Sequence, residues 1–444
     1  MNMKPFRRIL IGLTTASLAC NGAWAQGANP TANSQNFVIP QVQSIGPTDL
    51  FQDVVSGYPT ALGAYASSLM LGNFGATLIG NNPENVIPGG DATTNNWAHG
   101  TTGASVTTTL TYGGPNSFAY WSGASTAVTV SKDTTAANLA TGYKADFLFQ
   151  RTAAQTGVVQ ACMAHEVENV NSLAFQGQIA ELDFNVATGA NFSGTGVTAY
   201  ITYGTLAAGD EGTAKLAYGI NAGGGGGSGW TGQVNQSATY ALAANSGPVR
   251  LTFAAPIPVT ATEIGVAICW TPTGTAGTSD YLALSGIQLT KNSALAKVAA
   301  TAATFLNPND NRAKAFAFRP QSFETFLQQR YAYVLSEPAA GVIVPTGIGQ
   351  SASTTVCLLS IPFPVPMRAA PTFTNALTAS TFKIGATGLA PIILATPFAA
   401  TATANTTIGA SLNFTTAASQ TANAACGPLV GNGGSGSMLF SAEL

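Results

Sequence analysis

Charge is scarce in this chain. Of 444 residues only 16 are Lys or Arg and 18 are Asp or Glu, together 8%. Helical surfaces usually carry Lys, Glu and Arg. This composition, rich in Thr, Ser and Ala with 49 glycines, points instead to β-sheets with Thr/Ser-rich outer faces and Gly-rich turns. No basic run exists beyond the first eight residues and the formal net charge is −2, so nucleic-acid binding by phosphate neutralisation is not expected. Histidine is nearly absent. His165–Asn169 (HEVEN) opens like a zinc-protease motif but lacks the second histidine, His99 lies elsewhere, and no Cys-x-x-Cys occurs, so no zinc site is expected. There is no G-x-S-x-G for a hydrolase nucleophile, and no strand–helix–strand rhythm for a nucleotide-binding α/β fold. The run Gly223–Gly227 with Ser228-Gly229 is followed by no Gly-Lys-Ser/Thr and reads as a flexible inter-strand loop.

Long apolar runs are missing too. Ile9–Ala19 is about half of what a bilayer span requires, so no membrane span is expected. Lys4, Arg7 and Arg8 precede this run and Ala23-Trp24-Ala25 follows it, the layout of a secretory signal peptide over 1–25. Cys20 suits a lipoprotein signal poorly, because Ser17-Leu18-Ala19 places its leucine one position late. Cleavage removes three of the 16 basic residues, leaving 13 against 18 acidic ones, a net charge of −5.

The remaining length supports more than one core. Residues 26–80 begin polar and then carry apolar patches, as an attachment or leader segment would. Residues 81–290 show repeated short strands. In IAELDFNV, Ala180, Leu182, Phe184 and Val186 point one way and Ile179, Glu181, Asp183 and Asn185 the other. With turn signals between such strands, the expected fold class is all-β: a jelly-roll β-sandwich, then a short helix and a second, smaller β-domain. Residues 291–335 form the helical connector and 336–444 the second domain, whose surface is nearly charge-free and suits packing against a partner or another copy.

Two carboxylate pairs merit weighing. Glu166 and Glu168, and Glu181 and Asp183, lie two apart on strands, hence on one face about 6–7 Å from each other. That overlaps glycosidase spacing, but a solvated strand face produces the same spacing without any activity. Catalysis is therefore not expected, and no cofactor is implied; Asp183 or Asp280 is at most a candidate ligand for a structural Ca²⁺. Aromatics are the stronger lead, since sugar rings stack their C–H faces on Trp and Tyr. Trp230, after the glycine run, is the glycan-binding candidate most open to solvent, and Trp121 beside Tyr120 comes next. Core packing competes for each, and it is the expected role of Trp270, which follows the alternating Ile264, Val266 and Ile268.

Between the β-regions, Ala315–Tyr333 (AFAFRPQSFETFLQQRYAY) has Phe323, Phe326, Leu327, Arg330 and Tyr331 at helical spacing. This predicts a short helix with one apolar-aromatic face, started at Pro320 and capped by Ser322, welding the two β-regions together. The stretch, with GIQL (Gly286–Leu289) before it and PMRAAPTFT (Pro366–Thr374) after it, resembles the C-terminal half of phage tail-fibre and virion-appendage proteins. GGDATTNNWAHGT (Gly89–Thr101), WTPTGTAGTSDYLALSGIQL (Trp270–Leu289) and IGPTDLFQDV (Ile45–Val54) are similar to the same family. One departure is Gln328-Gln329-Arg330-Tyr331, where the family often has Cys-Gln-Arg-Tyr. The resemblance implies a non-enzymatic structural protein that binds a cell surface through a glycan or polysaccharide, as a homotrimer. Virion fibres normally need no export signal. The leader therefore favours a phage-type module recruited as an exported protein, periplasmic, surface-bound or secreted, with a chance leader on a virion protein as the alternative. A secreted carbohydrate-binding or adhesion protein and a glycan depolymerase are the competing functions.

Four cysteines survive cleavage and allow three connectivities. Two precede the helix and two follow it, so the domain layout pairs Cys162 with Cys269 and Cys357 with Cys426; four buried free thiols are the alternative. N-terminal sequencing of the exported protein is expected to begin at Gln26. Intact Met1 in the assembled protein would refute the leader.

Overall fold

The computed structural model describes residues 85–101, 103–106, 111–122, 128–206, 230–295, 302–308, 310–336, 349–375, 382–386, 389–393, 400–415, 421–431 and 437–442. The signal peptide 1–25, the leader 26–80 and the glycine run 223–229 lie outside the described residues.

Period-2 alternation builds a two-sheet sandwich from short strands. They are β1 (Ala104–Val106), β2 (Thr111–Tyr112), β3 (Ala119–Ser122), β4 (Val128–Asp133), β5 (Asp146–Arg151), β6 (Ala161–Val167) and β7 (Ile179–Thr188). Then come β8 (Gly196–Thr205), β9 (Thr231–Ala241), β10 (Val249–Pro256), β11 (Glu263–Trp270), β12 (Tyr281–Lys291) and β13 (Thr304–Phe305). One antiparallel sheet has the order β1-β4-β5-β12-β7-β10-β13, the other β2-β3-β6-β11-β8-β9. Within them β5-β12-β7-β10 and β6-β11-β8-β9 share out eight successive strands in the order of a jelly roll, with only β8 and β9 consecutive in one sheet. Ile264, Val266, Ile268 and Trp270 of β11 share the core with Phe147, Phe149, Leu182, Phe184 and Phe253. Trp270 takes its expected core place and stacks on Phe192, with ring centroids 5.2 Å apart. Each such side chain contributes about 1.5–3 kcal/mol on burial, offsetting the entropy of ordering its strand.

The outer face of β7 is not the solvated face that alternation alone predicts. Glu181 and Asp183 are fully buried there, because residues 310–319 cross the sheet after β13. The amide of Lys314 donates to Glu181 at 2.7 Å, and Gln288 of β12 donates to the carbonyl of Ala315 at 3.2 Å while accepting from the amide of Ala317 at 3.0 Å. This crossing segment acts as a strap.

Helix α1 (Gln321–Gln329) follows the strap. Ser322 is exposed and does not cap it; no side chain does, and the Glu324 amide instead donates to the carbonyl of Pro320 at 3.0 Å. The expected apolar face is only partly buried: Tyr331 is buried and Phe323 and Leu327 are half-buried. Phe326 is 50% exposed, whereas Glu324 and Gln328 are buried. The helix docks on the backbone of loop 85–99, and backbone amides and carbonyls need polar partners, not phenyl rings.

Beyond α1, β14 (Ala332–Ser336), β15 (Gly349–Ser351), β16 (Val356–Pro362), β17 (Thr372–Asn375) and β18 (Phe382–Ala386) lead to β19 (Leu389–Ile393) and β20 (Ala400–Thr406). The last strands are β21 (Gly409–Thr415), β22 (Ala425–Gly431) and β23 (Ser437–Ser441). They form a three-stranded sheet, β14-β23-β17, and a seven-stranded one, β19-β18-β22-β15-β16-β21-β20. Leu359, Ile361, Leu412, Phe414, Met438 and Phe440 make their own core. No helix of the described residues is long and apolar enough to cross a membrane.

Both cysteine pairs are disulfides. Cys162 and Cys269 face each other in register on β6 and β11, Cα atoms 4.1 Å apart, and Cys357 and Cys426 join β16 to β22 at 6.1 Å. The bridges close 107 and 69 residues, so each constrains the unfolded chain by roughly 4–5 kcal/mol. Peptide mapping without reductant is expected to recover these two linkages, and reduction to lower the melting temperature. Four free thiols, or any Cys162–Cys357-type crossed pair, would contradict the fold.

Candidate functional site

The aromatics singled out as glycan contacts lie inside the protein. Tyr120 is 1% exposed and points into the sandwich against Phe149. Trp121 and Trp230 come together on the outer face of the six-stranded sheet, in one cluster with the Cys162–Cys269 bridge, Ala164 and Ala267, flanked by Tyr200 and Leu206. At 4% and 3% exposure neither offers a ring face to a ligand. Trp230 rests on Gly204, where an added Cβ would come within 2.7 Å of its own Cβ. The platform expected at Trp230, Trp121 and Tyr120 is thereby corrected: alternation puts Trp121 outside the main core but cannot show what packs over it.

Three of the four paired carboxylates are also committed. Glu168 leaves the strand and accepts from Arg330 at 2.9 and 3.2 Å, so it forms no matched pair with the buried Glu166. Asp183 accepts from Arg250 at 2.9 Å, Thr252 at 2.5 Å and Gln288 at 3.0 Å; Glu181 accepts from Lys314 and Asn292. Under the strap these oxygens have protein donors and no room for a sugar between them. The Ca²⁺ expectation meets the same obstacle. Asp280 accepts from Arg151 at 2.7 Å and from Ser193 at 2.8 Å, and Asp183 faces a guanidinium, so cationic and hydroxyl donors occupy the positions a metal would need. Among the described residues no group of three or more His, Cys, Asp or Glu is placed to hold a metal ion.

An open aromatic platform lies elsewhere, where strap, loop 85–99 and β12 meet. The register of β12 on β7 shifts between Ser285 and Gln288, and Gly286 there has φ +60°. A Cβ on Gly286 would lie 2.2 Å from the Tyr143 hydroxyl, so only glycine lets that tyrosine settle on the strand. Gly90 packs equally closely on Ile287, whose amide donates to the Gly90 carbonyl at 2.8 Å. On the strap, Phe316 and Phe318 alternate and both meet Tyr143, with centroids 5.6 and 5.4 Å away and 4.8 Å between the two phenyl rings. Phe318 is 58% exposed. Beside the rings opens a cleft lined by Asn85, Gly90, Asp91, Thr94, Phe316, Ala317, Phe318, Arg319 and Glu324, with about 10 Å³ of free volume.

The polar wall of this cleft is firmly built. Glu324 accepts from the Gly89 amide and, at 2.9 Å, from Arg319, which also donates to the carbonyls of Asn85 and Ile87. Gln328 accepts from the Asn96 amide at 2.6 Å and donates to the Thr94 carbonyl at 3.1 Å. Asp91 is buried, which raises its pKa; the nearby Glu324 adds to the rise and hydrogen bonds from Thr93 oppose it. Burial likewise raises the Tyr143 hydroxyl. Apolar ring faces beside hydrogen-bonding groups form a surface suited to a ligand that is itself part apolar and part hydroxylated. One sequence signal points here: in Ala315-Phe316-Ala317-Phe318, period 2 puts both rings on one side of an extended segment. Nothing local in the sequence marks Tyr143.

No protein-family model matches the chain, and no curated protein matches it. Among solved structures, the enzymatically active domain of tailspike protein 4 from bacteriophage CBA120 aligns with 47% of the chain at 11% identity and a TM-score of 0.26. The chain covers 21% of that domain's length. The CBM22-2 xylan-binding domain of Paenibacillus barcinonensis Xyn10C aligns with 39% of the chain, over 91% of its own length, at 8% identity and a TM-score of 0.22. A candidate sugar-binding protein from Bacteroides thetaiotaomicron aligns with 47% of the chain, over 99% of its own length, at 14% identity and a TM-score of 0.24. Scores this low carry no inference about ligand or activity.

Three buried groups make stability depend on pH. Burial, with the charge of Asp183 second, pushes Glu181 up to about 8, and burial pushes Asp146 up to about 7. His165, whose Nδ1 lies 2.7 Å from the Ser117 carbonyl between the rings of Phe118 and Tyr331, is pushed by burial down to about 4. Between about pH 6.5 and 7 the folded chain keeps protons on Glu181 and Asp146 that the unfolded chain has released, so stability falls as pH rises. Glu181 continues the fall to about pH 8, while His165 opposes it only below 6.5. The melting temperature is expected to drop from pH 6.5 to 8, by up to about 1.4 kcal/mol of stability per pH unit for each retained proton. Glu181→Gln should flatten the slope above pH 7. A melting temperature that rises across this interval would contradict the burial of these groups.

Proposed function

We propose that this chain is a non-enzymatic β-protein that attaches to a cell surface by binding a glycan or polysaccharide. The observation that carries the reading is the Tyr143–Phe316–Phe318 ring cluster, with Phe318 exposed and the other two half-buried, beside the polar cleft. Stacking supplies affinity that tolerates many sugars, and the polar wall supplies orientation. A binding role rather than turnover is supported by Glu181, Asp183 and Glu168 being committed to protein partners. The finer identity, a phage-tail-fibre-like structural protein acting as a homotrimer, rests on the sequence resemblance of the helix and its flanks. Recruitment of such a module for export, as a surface or secreted adhesion protein, is supported by two disulfides, which persist in oxidising compartments.

Phe318→Ala tests the platform. Because the ring is 58% exposed, the substitution should leave the melting temperature unchanged while weakening binding to whole cells and soluble polysaccharide roughly five- to tenfold. Unchanged binding by a folded variant would overturn this site.

A further inference from the structure

Resting on the glycan reading, we propose that the cleft selects a neutral sugar, which stacks on Phe318 and inserts one hydroxyl to donate to Asp91, and that uronates and other anionic sugars are rejected. Size is the first ground. A free volume of about 10 Å³ is close to the space one water needs, so the cleft admits a hydroxyl group and not a ring. The ring must remain outside, where the exposed face of Phe318 lies.

Charge is the second ground. Among the described residues Arg319 is the sole cation lining the cleft, and it is spent within the protein on Glu324, the Ile87 carbonyl and the Asn85 carbonyl. Its side chain is almost wholly buried. A ligand carboxylate would thus meet Asp91 and Glu324 with no uncommitted guanidinium to offset them. Lys132 acts on Asp91 electrostatically but does not line the cleft.

Acceptor capacity is the third. Glu324 already takes the Gly89 amide and Arg319. Asp91 takes Thr93, whose amide donates at 2.9 Å. A carboxylate accommodates about four donors, so Asp91 retains capacity on the cleft wall. A hydroxyl donated to a buried, under-supplied carboxylate makes a charge-assisted hydrogen bond, stronger than one between neutral partners. A ligand carboxylate brings no proton to give.

Affinity electrophoresis of the full chain at pH 7 and low salt, against neutral polysaccharides and against polyuronates, tests the selection. Retardation by one or more neutral polymers and none by polyuronates is expected. Asp91→Asn, with an unchanged circular-dichroism spectrum, should weaken the neutral interaction about tenfold or more. Polyuronate binding as tight as neutral binding, and abolished by Phe318→Ala, would overturn the selection while leaving the platform standing. Full binding by a folded Asp91→Asn variant would overturn the role of Asp91 alone. Binding to no polymer would overturn the glycan reading and this inference with it, whereas binding indifferent to Phe318→Ala would overturn the site, and so this inference, but not glycan binding itself. Should Asp91→Asn fail to fold, the wild-type comparison of neutral and uronate polymers decides.

Discussion

The arrangement depends on how one buried loop has its backbone satisfied. Residues 85–99 pack under α1 with several amides and carbonyls out of reach of water, and each such group left unpaired costs about 1–3 kcal/mol. Glu324 and Gln328 supply partners for Gly89, Thr94 and Asn96, and Arg319 supplies them for Asn85 and Ile87. Within the loop Asn95 ties Gly89 to Asn116, and the Trp97 indole donates to the Ala92 carbonyl at 3.1 Å. Because the helix is positioned by hydrogen bonds, its orientation is specified more sharply than an apolar contact would manage. The strap leading into it inherits that precision, and so do Phe316 and Phe318.

The same logic extends across the outer face of the seven-stranded sheet. Glu181, Asp183, Arg250, Gln288 and Asn292 would be ordinary solvated residues on an open sheet. Beneath the strap they become a network that recognises the strap by its backbone, through the Lys314 amide and the carbonyls of Arg312 and Ala315. Removing one partner from such a network leaves another buried and unmet, so its members are coupled.

The sandwich strands were legible because a period of two is a property of neighbouring residues, and IAELDFNV or IGVAICW displays it without knowledge of the rest. The cysteine pairing followed from strand placement on either side of the helix. What failed was the placing of side chains whose surroundings come from a distant segment. The helix was visible from its spacing, but its buried side was not, since Phe326 outranks Gln328 in hydrophobicity and the docking surface is a loop more than 220 residues away in sequence. Trp121 and Trp230 looked like surface aromatics because their covering neighbours come from other strands. Tyr143 was invisible because its position depends on a missing side chain at Gly286.

The bridge between β6 and β11 has a mechanical meaning. Cys162 and Cys269 are 107 residues apart in sequence yet directly opposite in the sheet, so tension applied along the chain passes through sulfur and bypasses everything between them. That span would extend on the order of 350 Å if it were free to unravel. With the bridge closed, none of this length can be paid out, and most of the jelly roll stays off the load path. A protein holding a cell surface against flow would keep that region folded under a pull that strips the strands outside it.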